Sequence, residues 1–397
     1  DLVRSRGLGD VYKRQMPGFS DGWENYRPSQ RNEPRQGRVP GNSSRVNSLD
    51  KSIWLGTGVT PSESAEIGLG VDYHGYQRKL PTYKENGFYY LYDEKAIRPY
   101  AQAVFDYRLG LYIPSDPDNY WDQDGTNVSA HSNVGLVYDF YYFYLGRNGM
   151  DNANMDTLIV THSSQSDYSD NASWNGASLN FFVSGSQQAQ YAAALDVVAH
   201  EFSHGVTDYS SDLIYEYQPG ALNESFSDIM GCAAEFFWHP QGTGLYQAEW
   251  LIGEDAFPYY EFGLSRGYVR SLEDPNQFSQ TGWSLGPDPC HLSQYYSLPF
   301  SLDRGGVHIN CTIYPHAFYL LAAGGTNRVS GRSVSGIGLE KATKIFYRAW
   351  VYYLTKSSIF IDAANAILQS AYDLYGNSSN EFAQAKQAMR AIGWIVN

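Results

Sequence analysis

The stretch "DVVAHEFSHGVT", residues 196–207, carries His200 and His204 four positions apart, with Glu201 directly after the first. Its apolar residues recur at helical spacing, which predicts an amphipathic helix with both histidines on one face. Two imidazole nitrogens on one face can bind the same metal ion, while Glu201 points elsewhere and suits a base that acts on water. The spacing H-E-x-x-H arises by chance in about one such chain in a hundred. A polar helix face that happens to carry two histidines is therefore the less favoured alternative.

A catalytic zinc ion takes three protein ligands and keeps one position open, so a third ligand should come from a neighbouring element. Glu224, in "GALNESFSDIMG", follows His204 by twenty residues, across an expected turn that contains Pro219 and Gly220. That distance allows one helix to end and a second helix to return beside it. We therefore predict one catalytic zinc ion bound by His200, His204 and Glu224.

The composition indicates a globular protein with an acidic surface. The 397 residues are 43% hydrophobic and 18% charged, with 28 Lys+Arg against 42 Asp+Glu and a net charge of −14. Such a surface repels nucleic acids and anionic membranes, and no apolar run approaches the roughly 18 residues of a membrane span. We expect neither nucleic acid nor membrane as a partner, and we expect a monomer. The length predicts two domains.

The first 51 residues do not look like part of a folded domain. Residues 1–15 end in "DVYKRQ", which resembles a translated sequencing adapter, and we interpret them as an artefact. Residues 16–51 are rich in Arg, Asn, Pro, Ser and Gly and form no periodic apolar pattern, which is typical of a linker or a remnant of a pro-segment. We expect residues 16 to about 50 to be removed or disordered in the mature protein.

The rest of the chain changes character near its middle. From residue 52, short runs such as "GFYYLYDE" and "ASLNFFVSG" alternate with Gly, Asn, Asp and Pro turns, and after about residue 190 the apolar spacing becomes helical. We predict an α+β protein with a β-rich N-terminal domain, 52–209, which includes the H-E-x-x-H helix. An α-helical C-terminal domain, 210–397, follows. A cleft is expected where two such domains meet, with the zinc site in it.

Three cysteines bear on the redox environment. Cys290 and Cys311 lie in polar or turn-rich sequence and can form a disulfide or stay free, because sequence alone does not fix connectivity. Cys232 lies in an apolar helical pattern, which predicts a buried free thiol.

Three blocks of sequence resemble the thermolysin family of zinc metalloendopeptidases. They are "HEFSH" at 200–204, "NESFSD" at 223–228 and "DRGGVHIN" at 303–310, in the family's order and with suitable spacing. The similarity extends from about residue 55 to the C-terminus. It implies a two-domain thermolysin-like protease fold with the zinc ion in the cleft between the domains.

The resemblance also implies a role for each residue around the zinc ion. Glu201 would be the general base, Asp228 would orient His200, and Asn223 would orient His204. The oxyanion that forms during hydrolysis would be stabilised by His308, which Asp303 positions, and by Tyr215.

Substrate contacts follow from the same resemblance. Asn171 and Ala172, in "DNASWNG", match an edge strand that pairs with the substrate backbone, and Arg270 matches an arginine that binds a substrate carbonyl. The family cleaves on the amino side of bulky hydrophobic residues, in a pocket that would include Val197 and Val269.

Calcium binding is implied beside the zinc helix. Four acidic residues fall near the family's calcium ligands: Asp196, Glu235, Glu249 and Glu254. Leu251 stands where members with two calcium ions carry a glutamate, so we expect at least one calcium ion and only the Leu251 carbonyl as a ligand. In "WDQDG", Asp122 and Asp124 are either a second calcium site or an ordinary acidic turn.

These observations predict a secreted zinc endopeptidase that is made as a zymogen and acts on proteins and peptides. Secretion is expected because a broad endopeptidase would endanger its own cytosol and because calcium is plentiful outside the cell. A zinc aminopeptidase would need a run such as Gly-x-Met-Glu-Asn to hold the free amine, and the sequence has none. An inactive zinc-binding protein would be expected to have lost Glu201 or His308, and both are present.

Overall fold

The structure is a computed structural model that describes residues 64–95, 97–163, 171–182, 190–257, 267–277 and 286–395. The predicted artefact at 1–15 and the predicted linker at 16–51 lie outside the described residues. None of the helices within the described ranges combines the length and the apolar character that a bilayer span requires.

The chain divides into a sheet-rich unit and a helical unit. The described residues up to Gly135 pack with Asn154–Ala193, and Leu136–Ala153 packs with the residues from Ala194 onward. The predicted order, β-rich and then helical, is confirmed. By packing, the helix that carries H-E-x-x-H belongs to the helical unit, whereas the sequence prediction places it in the first domain.

Among the described residues, ten strands belong to the sheet-rich unit. Their bounds are β1 (Ala65–Val71), β2 (Gln77–Glu85), β3 (Phe88–Tyr90), β4 (Tyr92–Glu94), β5 (Ala101–Asp106), β6 (Ser115–Asp116), β7 (Tyr120–Trp121), β8 (Thr157–Ser163), β9 (Ala172–Trp174) and β10 (Ser178–Phe182). They form two five-stranded sheets, in the orders β6-β3-β2-β1-β7 and β4-β5-β8-β10-β9.

The second sheet has a parallel centre with antiparallel edges. β8 pairs in parallel with β5 and β10, while β4 and β9 pair antiparallel with their neighbours. Parallel strands need a crossover connection, and helix α1 (Gly125–Leu145) supplies the one between β5 and β8. Every residue of β5 and β10 is buried, as expected for central strands.

Seven further α-helices lie in the described part of the helical unit. They are α2 (Leu195–Asp208), α3 (Tyr217–Trp238), α4 (Asp303–Asn310), α5 (Ile313–Ala323), α6 (Leu339–Arg348), α7 (Phe360–Tyr375) and α8 (Asn380–Ala391). Two short hairpins accompany them: β11 (Leu251–Ile252) with β12 (Arg270–Ser271), and β13 (Gly325–Thr326) with β14 (Ser333–Val334). In the core, the Trp350 ring stacks on Phe226 and Phe346, and its Nε1 donates a hydrogen bond to the Leu222 carbonyl.

Two neighbouring helices, α2 and α3, carry the zinc-ligand candidates. The apolar stripe of α2 is buried as predicted, with Val198, Phe202 and Val206 fully inaccessible. The expected turn at Pro219 and Gly220 instead lies inside the first turn of α3. Proline is tolerated there because first-turn N–H groups have no partner within the helix.

The disulfide that the sequence left open is not formed. Cys232, Cys290 and Cys311 are all free and buried. The Cys311 Sγ donates to the His308 carbonyl at 3.0 Å, whereas the Cys290 Sγ faces Asn276 Oδ1 at 3.3 Å. The two thiols thus have different partners.

Candidate active site

The two histidines of α2 present their rings side by side, facing Glu224 of α3. The Nε2 atoms of His200 and His204 are 3.0 Å apart. They lie 3.4 and 3.3 Å from the two carboxylate oxygens of Glu224. The predicted ligand set is therefore assembled, with the three ligand atoms within 4.8 Å of one another.

The hydrogen bonds behind the rings test whether this group fits a metal ion. The His200 Nδ1 faces Asp228 Oδ1 at 2.9 Å, and the His204 Nδ1 faces Asn223 Oδ1 at 2.8 Å. Both partners are acceptors, so each Nδ1 carries the proton and each Nε2 offers a lone pair. Two lone pairs and a buried carboxylate repel one another unless a cation lies between them. Two nitrogens and one oxygen, with room for a fourth ligand, suit zinc.

The charges at the site favour a cation as well. Burial lowers the pKa of His200, but Asp228 and Glu224 outweigh this effect and raise it to about 10, so these carboxylates favour a positive charge at Nε2, which a bound metal ion would supply in place of a proton. Burial raises the pKa of Glu224, but His308 and His204 outweigh it and hold it well below its usual range. Within the described part of the chain, the buried Oε2 of Glu224 accepts no hydrogen bond.

Asp228 forms a bidentate ion pair with Arg270. The Arg270 Nε and Nη2 donate to the two carboxylate oxygens of Asp228, each at 2.7 Å, and both side chains are buried. Burial raises the pKa of Asp228, but Arg270 and His200 lower it by more than burial raises it. The net pKa is below the usual value of an aspartate, so the carboxylate stays ionised. The predicted contact between Arg270 and a substrate carbonyl stays a prediction.

Two side chains predicted to stabilise an oxyanion meet at the same place. The Tyr215 hydroxyl contacts Glu224 Oε1 and lies 3.0 Å from His308 Nε2. Asp303 accepts from both the ring Nδ1 of His308, at 2.6 Å, and its backbone N–H, at 2.8 Å. Burial lowers the pKa of His308, but Glu224 and Asp303 outweigh it and raise the pKa.

The backbone before His308 has an unusual conformation. Four consecutive residues have positive φ: Asp303 (50°), Arg304 (48°), Gly305 (90°) and Gly306 (85°). A Cβ on Gly305 would lie 2.3 Å from the Tyr217 ring, so only glycine fits there. α4 is therefore regular only from Val307 onward, and the irregular turn presents the His308 ring.

The remaining predicted residues lie on several elements. Glu201 is 7% exposed on α2, and its charge contributes to the raised pKa of Tyr215, after burial and Glu224. Val197 and Val269 both flank Gly253, where an added Cβ would lie 3.6 and 2.9 Å from their Cγ2 atoms. Asn171 and Ala172 belong to the other unit, where Ala172 begins β9, an edge strand as predicted.

Three of the predicted calcium ligands form a buried acidic group. Asp196, Glu235 and Glu254 are each 0% exposed. The Asp196 carboxylate accepts the N–H groups of Val197 and Gly253. Burial raises the pKa of Asp196 to about 6, and burial together with Glu254 raises that of Glu235 well above its usual range. The other two predicted ligands are half-buried at or beside β11: Glu249 and Leu251.

In the sheet-rich unit, Asp124 has partners other than Asp122. Its carboxylate contacts the Arg108 guanidinium and lies 3.1 Å from His162 Nε2, while the same guanidinium donates to Asp106 at 2.7 Å. Asp106, Asp124 and His162 could hold a metal by geometry, but the Arg108 Nη2 lies against both carboxylates and supplies the positive charge. Asp122 is exposed. The acidic-turn alternative therefore agrees better with the structure than a second calcium site.

One charged residue next to the site escaped the sequence prediction. The guanidinium carbon of Arg304 lies 5.3 Å from the centre of the Tyr215 ring. The available signal was a cation inside the block "DRGGVHIN", but no spacing rule gives the direction of a side chain in an irregular turn.

The chain matches known protein families along most of its length. Residues 67–208 match the family described as "Thermolysin metallopeptidase, catalytic domain", and residues 211–394 match "Thermolysin metallopeptidase, alpha-helical domain". The two matches meet close to the domain boundary predicted at 209 and 210.

Individual relatives agree with this match. A thermolysin of Alicyclobacillus acidocaldarius subsp. acidocaldarius is 36% identical over 347 residues, 85% of this chain and 59% of that protein. Neutral protease B of Bacillus subtilis (strain 168) is 36% identical over 345 residues, 83% of this chain and 58% of that protein. The chain thus spans somewhat under two thirds of the length of these relatives. The solved precursor of protealysin, a metalloproteinase from Serratia proteamaculans, has a TM-score of 0.60 and 28% identity, covering 74% of this chain and 87% of that one.

Proposed function

Since the chain belongs to the thermolysin family of metallopeptidases, we propose that it is a zinc-dependent endopeptidase that hydrolyses internal bonds of proteins and peptides. The observation that carries the proposal is the ligand set itself. Two imidazole lone pairs, each fixed by an acceptor behind the ring, face each other at 3.0 Å beside the Glu224 carboxylate. That arrangement needs a cation to be stable.

The residues around this set divide the work of hydrolysis. A zinc ion held by His200, His204 and Glu224 would supply a Lewis acid that polarises the peptide carbonyl and makes water more acidic. Glu201 takes the proton from the attacking water and passes it to the leaving nitrogen.

Two hydrogen-bond donors, His308 and Tyr215, would stabilise the negative charge that develops on the carbonyl oxygen of the substrate. Glu224 and Asp303 raise the pKa of His308 and so favour the protonated ring, whose Nε2 can donate a hydrogen bond. Burial and Glu224 raise the pKa of Tyr215, so that its hydroxyl stays protonated and can donate too. Donors already in place cost no reorganisation during the reaction.

Several further residues are proposed to bind the substrate. Val197 and Val269, on either side of Gly253, suit a bulky apolar side chain, which supports cleavage on its amino side. The edge strand at Asn171 and Ala172 would pair with the substrate backbone. Arg270 would contact a substrate carbonyl.

A bound calcium ion would explain the buried acidic group. Three carboxylates at 0% exposure are costly unless a cation pairs with them. We assign at least one calcium ion to Asp196, Glu235, Glu249, Glu254 and the Leu251 carbonyl.

The protein is proposed to be secreted, monomeric and made as a zymogen, with residues 16 to about 50 absent from the active form. The solved relative described as a precursor supports a zymogen. N-terminal sequencing of active enzyme that begins at Met16 would refute the processing, and native protein found only in the cytosolic fraction would refute secretion.

Casein hydrolysis by Glu201→Gln tests the catalytic proposal directly. This variant should lose about 100- to 10,000-fold in rate and still bind one zinc ion, because Glu201 is a base and not a ligand. The exposed Glu85→Gln should behave as wild type. A zinc chelator should abolish hydrolysis, and readdition of zinc should restore it. Wild-type activity in Glu201→Gln would show that the mechanism is wrong.

A further inference from the structure

Arg304 is an exposed cation at the edge of the candidate active site. Its guanidinium lies over the face of the Tyr215 ring, 5.3 Å from the ring centre. Tyr215 in turn reaches Glu224 and His308 through its hydroxyl. Arg304 therefore contacts one of the two proposed oxyanion donors, Tyr215. The other donor, His308, lies 3.0 Å from the Tyr215 hydroxyl.

The backbone holds this side chain in place. Arg304 has a φ of 48°, in the left-handed region, and lies between Asp303, which is bonded to His308, and Gly305, which fits against Tyr217. A residue other than glycine or asparagine pays about 1 kcal/mol for that conformation. The turn places Arg304 beside the site, where its guanidinium contacts the Tyr215 ring.

Within the described part of the chain, the charge of Arg304 contacts the Tyr215 ring but forms no ion pair. The described part of the chain offers it no carboxylate within ion-pairing distance, in contrast to Arg270, which holds Asp228, and Arg328, which holds Asp274. Its hydrogen-bond donors therefore face solvent or a ligand. Guanidinium donors match a carboxylate in shape and charge.

We propose that Arg304 gives the enzyme a preference for a substrate carboxylate close to the scissile bond, and this inference rests on the proposed endopeptidase function. The chain as a whole carries a net charge of −14 and repels acidic peptides at long range. At physiological salt this repulsion is screened beyond about 8 Å, so that a local cation decides the contact. The carboxylate can belong to an Asp or Glu side chain or to a free C-terminus.

Matched peptides test the preference. In a first series of amidated peptides, the two members of each pair carry Glu or Gln at one position near the cleaved bond, and each position is tested in turn. A second pair has no charged side chain, and its members differ in a free or an amidated C-terminus. Wild type should cleave one carboxylate member faster, by up to about fivefold in kcat/KM at physiological salt. Most of the effect should appear in KM, because the contact is the same before and during the reaction. Faster cleavage of a Glu peptide would show that Arg304 binds a side-chain carboxylate. Faster cleavage of the peptide with the free C-terminus would show that it binds a terminal carboxylate.

Two variants and one control separate Arg304 from general charge effects. Asparagine suits the left-handed backbone, so Arg304→Asn should fold as wild type does, and its ratio of kcat/KM within each pair should fall to about one. Arg304→Lys should keep part of the wild-type ratio. The exposed Arg332→Asn should keep the wild-type ratio. Equal cleavage of both members by wild type, or an unchanged ratio in Arg304→Asn, would overturn the inference. If zinc-loaded wild type cleaves no peptide at all, the proposed function fails, and this inference fails with it.

Discussion

At the residue scale, Asp228 links a metal ligand to a cation. One of its oxygens accepts from His200 Nδ1, and both accept from Arg270. The His200 ring is thereby fixed in the tautomer that presents Nε2, and Arg270 keeps the carboxylate ionised.

Asp228→Asn should weaken zinc binding. An amide in place of the carboxylate removes the negative charge behind His200 and leaves the buried Arg270 with only the more distant Glu224 carboxylate, at 3.8 Å. We expect zinc affinity to fall by about 10- to 100-fold, measured by competition with a chromogenic chelator. Asp373→Asn, which removes a surface pair with Arg348, is the control. Equal affinities in all three proteins would show that Asp228 does not orient His200.

Asp303→Asn should change how activity depends on pH. The Asp303 charge helps to raise the pKa of His308, so its loss lowers that pKa. The protonated ring, and with it the donated hydrogen bond, is then lost at a lower pH. The alkaline limb of the kcat/KM profile should therefore move to lower pH, while the rate on the acid side changes less. An alkaline limb that stays in place, or moves upward, would contradict the assigned role of Asp303.

The ligand set could be predicted from sequence, but Arg304 could not. His200 and His204 share a face because of helix periodicity alone, and Glu224 follows from the need for a third ligand. The position of Arg304 depends on a positive φ in an irregular turn, which no periodic pattern reports. Likewise, the pairing of Asp124 with Arg108 joins residues sixteen positions apart, with β6 and β7 between them, which no local pattern predicts.

At the element scale, the site depends on how closely α2 and α3 approach. A Cβ on Gly231 of α3 would lie 2.6 Å from the Asp196 carbonyl oxygen of α2, whereas one on Gly205 of α2 would meet the Met150 sulfur at 2.4 Å. The first contact is with rigid backbone, and the second is with the end of a flexible side chain.

Gly231→Ala should therefore destabilise the protein more than Gly205→Ala. We expect Gly231→Ala to cost about 1–3 kcal/mol, because α2 must move away from α3, and to lower zinc affinity by displacing the histidines relative to Glu224. In Gly205→Ala, Met150 can change rotamer, so the loss should be smaller. Denaturant unfolding and zinc titration measure the two effects. Equal losses in both variants would show that α2 and α3 can separate at little cost.

At the scale of the whole molecule, an acidic chain buries part of its negative charge. Asp196, Glu235 and Glu254 lie together at 0% exposure in a protein of net charge −14. The order of a β-rich and a helical part could be predicted from local patterns, whereas these three acidic residues were indicated only by the resemblance to the thermolysin family. The sequence could not indicate that α2 belongs to the helical unit, because that depends on packing against α3.

Removal of calcium should destabilise the protein more at high pH than at low pH. The pKa of Asp196 is raised to about 6 and that of Glu235 is raised well above its usual range, so the folded state binds more protons than the unfolded state above about pH 4. Without calcium, stability should fall as pH rises through these values.

Calorimetry with and without a calcium chelator measures this effect. At a calcium concentration about 100 times the dissociation constant, binding adds about 2.7 kcal/mol, which raises Tm by about 3–5 °C in a chain of this size. The difference should be largest at alkaline pH, where the carboxylates are ionised, and smaller near pH 5. A Tm that does not respond to calcium at any pH would refute this site.

The free thiols offer three internal reporters of local opening. Cys232 and Cys311 are fully inaccessible and Cys290 is 1% exposed, so a thiol reagent reacts with each only after the surrounding structure opens. The labelling rate of Cys311, three residues after His308, would follow opening of the catalytic turn, while that of Cys232 would follow opening of α3. Comparing these rates while a substrate analogue is bound would show which part of the molecule a peptide makes rigid.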